Sequence, residues 1–196
     1  MEISLHPYLP GVQLVQLGRF EDDRGYMARI LDEQLFRDVG IPVSFAQVSH
    51  SHTKRSGVLR GVFVSLPPAQ EAKLVRITRG KMQWVLVDLR PDSGTYGRWG
   101  EVLLDGREGN AFFAPKGFAH ACLCLEEETD LILMADCPYS PAHSSGIRWD
   151  DPDLSIGWRL AEAGPLQISE AHLAYRSFAN FVEGITVAGN GGVQTS

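Results

Sequence analysis

The residues of this chain that could do chemistry fall into a few short groups. His50 and His52 stand two apart in "SHSH", so on an extended strand they share a face. Two imidazoles in that relation could bind a metal, but a site needs three or four donors, and the spacing offers no others. A polar lining or a solvated face is the better reading of the pair. Cys122 and Cys124 repeat the spacing in "HACLCL". With Cys137 they make an odd set of three, which points to reduced thiols in a cytoplasm rather than to disulfides. Two small apolar side chains buried on one face account for Cys122 and Cys124 better than redox or metal use does. His120 closes "GNAFFAPKGFAH", where Pro115 and Gly117 shape a turn that aims the imidazole after it. Lys73 opens "KLVRITRG".

Composition narrows the classes. A chain of 196 residues, 44% hydrophobic and 21% charged, suffices for one well-filled core. A net charge of −6 argues against a nucleic-acid partner, since phosphate wants a Lys/Arg face. The start "MEISLHPYLPG" lacks the basic and apolar runs of a signal peptide, and no apolar segment approaches a membrane span of about 20 residues. A cytoplasmic protein without a membrane partner is expected.

Gly and Pro punctuate the chain throughout, and most segments between them are short and β-branched or aromatic. "KLVRITRG" and "MQWVLVDLR" read as a hairpin around Gly80-Lys81. "SFAQVSHSH", "GVLRGVFVSL", "NAFFAPKGFAHACLCL" and "DLILMADCPY" read as further strands. Helical signals are few: "DEQLFRDVG", closed by Gly40, and "SEAHLAYRSFANFVEG", with Ser169 as N-cap and Gly184 as stop. This pattern predicts an all-β sandwich or barrel in a single domain, residues 1–187, followed by a flexible tail, 188–196.

The segment "GNAFFAPKGFAH" fits Gly-x5-Pro-x-Gly-x2-His and resembles the second sequence block of cupin barrels. The first block of metal cupins, Gly-x5-His-x-His, counted from Gly57, puts Phe63 and Ser65 at its two histidines. His120 alone remains of the ligand set, so no metal and no other cofactor is expected.

A longer resemblance covers about residues 8 to 173. "FEDDRG", "SGVLRG", "KLVRITRG", "VDLRPDSGTYGRW", "APKGFAHA" and "YSPAHSSGIRWDDPDLSIGW" follow in order, as in the dTDP-4-dehydrorhamnose 3,5-epimerase family. The resemblance implies a cupin-type jelly-roll β-barrel with a few short helices, a homodimer with exchanged strands, and a nucleotide-diphosphate-sugar pocket. Family members epimerise with a histidine base, an aspartate that orients it, a tyrosine acid and a lysine near the enolate oxygen. Carried onto this chain, the base position is Phe63, the acid position Leu133 and the aspartate position His172. The lysine is kept as Lys73. Arg24, Gln47, Arg60, His120 and Tyr139 match pocket or nucleotide positions. Arg29, Ser49 and Glu71 stand where the resemblance has Glu, Asn and Gln, changes that alter the charge and hydrogen bonding of the pocket.

Neither Phe nor Leu can move a proton, so the resemblance predicts a framework whose standard two-centre mechanism is absent. The leading expectation is a metal-independent isomerase or cyclase of deoxysugar or natural-product biosynthesis. Its substrate would be a dTDP-sugar or a polyketide-like compound, and Lys73, His120 and His172 its acid–base candidates. The alternatives are a sugar epimerase with His172 as a relocated base, and a non-catalytic binding protein. His172 separates them: it points into the cavity near Lys73 if the site works, and is solvated or packed uselessly if it does not.

Overall fold

The computed structural model describes residues 1–41 and 44–190, with side-chain surroundings given as far as 184. In chain order the strands are β1 (Glu2–Leu5), β2 (Gln13–Gln16), β3 (Arg19–Asp22), β4 (Gly25–Ala28), β5 (Gln47–Thr53), β6 (Leu59–Ser65) and β7 (Lys73–Arg79). They continue with β8 (Lys81–Asp88), β9 (Trp99–Asp105), β10 (Asn110–Ala114), β11 (Phe118–Cys124), β12 (Thr129–Ala135) and β13 (Ser144–Gly146). Helix α1 (Glu33–Asp38) precedes β5, and α2 (Leu160–Ala163), α3 (Glu170–Leu173) and α4 (Phe178–Asn190) follow the last strand.

Two antiparallel sheets face each other, in the orders β1-β2-β10-β7-β12-β5 and β13-β6-β11-β8-β9, and β3-β4 stands apart as a hairpin. Among the described residues no strand of one large sheet pairs with the other. The pairing is that of a sandwich, where the resemblance implied a closed barrel. Between the sheets lie Val75, Ile77 and Leu131 from one side and Met82, Trp84, Leu86, Phe118, Cys122 and Cys124 from the other. Each such apolar side chain contributes about 1.5–3 kcal/mol on leaving water, and together they fix the spacing of the sheets. The C-terminal segments cover the outer face of the β6–β11–β8 sheet through Leu154, Phe178 and Phe181. Helix α1 covers the other outer face through Phe36.

Two expectations need correction. The strands β7 and β8 do not form a hairpin: the turn at Gly80 carries the chain from one sheet to the other. The inward residues of both strands are apolar, and facing sheets bury them more fully than neighbouring places in one sheet would. Gly184 does not end a helix running from Ser169. The chain leaves α3 at Ala174, because Arg176 is drawn into a backbone pairing with Ile147 and Arg148. It then starts α4 with the Phe178 N–H on Asp151 Oδ2 at 2.8 Å. Helix α4 runs to Asn190; the remainder of the tail expected over 188–196 lies outside the described residues.

Candidate active site

The inward side chains of β8 and β11 are buried, whereas Gln47, Ser49 and Ser51 of β5, Arg60, Phe63 and Ser65 of β6 and Leu133 of β12 are only half-buried. The sandwich opens between them as a cleft. Strand β6 enters it with an irregular step: Phe63 lies opposite His120 and Arg60 opposite Cys122, so β6 uses one more residue than β11. The extra residue re-phases the strand, and Arg60 and Phe63, three apart, both point inward. Gly61 permits this, with φ at 111° and room for no side chain. A Cβ there would stand 2.6 Å from the His120 carbonyl oxygen.

His120 is buried, and the Trp84 indole donates to its Nδ1 at 3.3 Å. Burial, reinforced by the Lys73 charge, holds the ring well below the usual histidine pKa. In the neutral ring the proton then sits on Nε2, which is enclosed and has no hydrogen-bond partner. The neutral ring therefore carries an N–H at Nε2, at one of the three positions expected to do acid–base chemistry. Lys73 is also buried, and its Nζ lies 2.7 Å from Glu71 Oε1, which accepts a second hydrogen bond from Ser65 at 2.8 Å. The ammonium that the resemblance places near the enolate oxygen is half of a nearly enclosed ion pair.

His172 reaches the cleft from α3. Backbone bonds between Gln167 and both Gly57 and Leu59 pin the preceding segment to the start of β6, and Ser169 caps the helix. The imidazole meets the Phe63 ring edge to face, centroids 4.8 Å apart at 88°. Its Nδ1 is enclosed and lacks a hydrogen-bond partner. Burial first, and then the Arg60 charge, lower its pKa. Tyr175 lies beside it, 5.4 Å from His172 and 6.4 Å from Phe63. Its ring rests on Gly146, where a Cβ would come within 2.3 Å of it. Burial, then Tyr139, raise the Tyr175 phenol.

Leu133 lies between Ser49 and Val75 and packs against the main core. Gln47 accepts the Tyr139 N–H at 3.0 Å at the rim, and Arg60 donates to Thr53 Oγ1 at 3.3 Å. Arg24 and Arg29 are not brought to this cleft. Arg24 is 89% exposed on the β3-β4 turn and paired with Asp22 at 2.5 Å, and Arg29 pairs with Asp32 at the start of α1. His50 and His52 point away on β5, each 3.0 Å from Asp130 Oδ1, as a solvated face. An open groove of about 950 Å³ between β1-β2 and β9, reached by His6, Tyr8, Gln16 and Glu101, holds none of these groups.

Trp84 and Tyr175 were not foreseen. Trp84 reads as one more core residue of an apolar strand, and Tyr175 as a surface position of a longer helix. A spacing of three from His172 is the one signal that could have found Tyr175.

The sequence pattern of the dTDP-4-dehydrorhamnose 3,5-epimerase family matches residues 7–180. The dTDP-4-dehydrorhamnose 3,5-epimerase of Methanothermobacter thermautotrophicus is 40% identical over 162 residues, 83% of this chain and 86% of that protein. The fold is similar to that of the Legionella pneumophila dTDP-6-deoxy-D-glucose-3,5-epimerase in complex with dTDP-4-keto-L-rhamnose. Its TM-score is 0.83 at 29% identity, covering 90% of this chain and 92% of that one. A 4-keto-6-deoxy sugar epimerase from the novobiocin gene cluster of Streptomyces spheroides gives a TM-score of 0.85 at 28% identity, covering 94% and 92%.

Proposed function

The chain belongs to the dTDP-4-dehydrorhamnose 3,5-epimerase family, and on that premise we propose that it is a metal-independent isomerase that does not run the two-centre 3,5-epimerisation. Its substrate is a small carbonyl compound of deoxysugar or related natural-product biosynthesis, of the size of a dTDP-sugar. It acts in a reducing compartment such as the cytoplasm, as a homodimer with the jelly-roll framework of its family.

The observation that carries this reading is Phe63. Its phenyl ring faces the cleft opposite His120, at the position the resemblance gives to the base, and no atom of that ring can accept a proton. Leu133 leaves the acid position equally inert. Each missing partner forfeits about 10²–10⁴ in rate. What the cleft keeps suits an enolate: a neutral donor at His120 Nε2, a Lys73–Glu71 pair, and apolar walls that exclude water. His172 packs against Phe63 at the rim of the cleft, and this reading takes it as the base.

The test is to incubate the protein with dTDP-4-keto-6-deoxyglucose in deuterated water and follow C3–H and C5–H by proton NMR, with a relative that epimerises both centres as control. The expected result is that deuterium does not enter both positions with inversion. Double exchange to the rhamno-configured product at the control's rate would overturn the reading and make this chain an ordinary epimerase with His172 as its base.

A further inference from the structure

A cation buried in a folded chain ordinarily has a carboxylate beside it, because an uncompensated charge is costly out of water. Arg76 breaks that rule. It is 7% exposed in the middle of β7, with Ala111 of β10 and Ile132 of β12 as its strand neighbours. Among the described residues it has no ion pair and no hydrogen bond, and its enclosed Nε is left without a partner. Burial pulls its pKa below the usual arginine value, and Tyr26 and Arg19 stand near enough for their charges to act on it. Strand β3 supplies Arg19, whose guanidinium lies 4.5 Å over the Tyr26 ring and donates to the Gly106 carbonyl at 2.9 Å.

A third arginine joins them through an irregular step in β7. Ile77 lies opposite Leu131 and Arg79 opposite Asp130, so β7 uses one more residue there than β12. The extra residue re-phases the strand and brings Arg79 beside Arg19 and Tyr26, where the three line one recess of about 420 Å³. Glu126, the carboxylate on the wall of that recess, is taken by Arg107. Neither Arg19 nor Arg79 pairs with a carboxylate among the described residues. Three guanidinium groups without a counter-charge thus converge on the outer face of β7, in a chain whose net charge is −6. Burial and mutual repulsion both oppose that arrangement until a negative group stands among them. The cleft is elsewhere: Lys73 is at the other end of β7, six residues and about 20 Å of strand from Arg79.

We propose that this recess is a binding site for a compact oxyanion, of the size and charge of a phosphoryl group, separate from the cleft. A guanidinium fork gives such a group two parallel charge-assisted hydrogen bonds. With Arg19 on β3 and Arg76 and Arg79 on β7, the anion is held as in a clamp. Among the described residues the β3-β4 hairpin pairs with neither large sheet, so the anion fastens it to the body of the sandwich. A carboxylate of a second copy has the same chemistry, and the experiment separates the two sources.

The probe is inorganic phosphate, added to the full chain against chloride at constant ionic strength, and the readout is amide hydrogen exchange in β3-β4. Phosphate should slow that exchange in a saturable way. Arg79→Gln, an exposed change, should weaken the response by about tenfold or more in phosphate concentration. Arg76→Met keeps the apolar stem and removes the charge. It should abolish the response, and its thermal midpoint in chloride should equal or exceed the parent's, because the lone buried charge is gone. Should circular dichroism show that Arg76→Met fails to fold, Arg79→Gln alone decides. Light scattering should give Arg76→Met the mass of the parent. No slowing by phosphate, slowing that survives both changes, or slowing lost in Arg60→Gln of the cleft overturns the proposal. So does an Arg76→Met chain of half the parent's mass, which would assign the missing anion to a second copy's carboxylate. None of these outcomes bears on the isomerase reading, which the deuterium experiment decides.

Discussion

Burial pushes the Cys122 thiol up to about 12, and Cys124, also enclosed, spends its S–H on the Glu126 carbonyl at 3.0 Å. Neither presents a thiolate near neutral pH, whereas Cys137 is half-exposed. A disulfide-exchange reagent at pH 8 should therefore titrate one thiol per folded chain, and three after denaturation; rapid titration of all three in the folded state would contradict the packing. At this scale the sequence was partly legible. The alternation of Cys122 and Cys124 gave their common face, and the turn at Pro115 and Gly117 gave the direction of His120. The hydrogen bonding of His120 was hidden, because it depends on Trp84, 36 positions away, taking up Nδ1. The character of Lys73 was hidden likewise, since only the folded chain shows that Ser65 and Lys73 share one Glu71 oxygen.

The motif "VDLRPDSGTYGRW" acquires a structural meaning at the level of the element. Asp88, at the end of β8, is fully enclosed. Burial alone would raise its carboxyl, but hydrogen bonds from Arg90, Ser93 and Thr95 outweigh burial and bring it down to about 2. A carboxyl depressed on folding stabilises above its unfolded value of 3.8 and loses that contribution as the pH falls toward 2. Asp88→Asn should cost about 1–3 kcal/mol at pH 7, and the difference from the parent should shrink between pH 4 and pH 2 in denaturant titrations. A difference that does not change with pH would show that the ionised carboxylate is not what the turn requires. Strands were legible wherever apolar residues alternated or ran together between Gly and Pro. Their partners were not: the β7–β8 connection has the residues of a hairpin, and only the competition between two sheets for one core sends it across. The step in β6 was equally invisible, because "LRGVF" looks like regular strand until Gly61 meets the His120 carbonyl.

For the molecule as a whole, the β3-β4 hairpin projects Phe20 and Met27 at 62% and 63% exposure, and the edge strand β1 ends in Leu5 at 70%. Apolar side chains on open strand edges are covered most economically by a second copy. Light scattering at micromolar concentration should give twice the chain mass of 21.6 kDa, and a value of 21.6 kDa would refute the dimer. One further consequence follows from the order in which the chain is laid down. Every described strand is complete by Gly146, yet His172 and Tyr175 come afterwards, on a segment clipped to β6 and β13 by Gln167 and Arg176. On the ribosome the sheets are thus complete before the segment that carries His172 and Tyr175 emerges. On the reading proposed above, a chain interrupted after its last strand would carry the cleft and His120 but lack the proposed base, and should show no activity until its closing segment has docked.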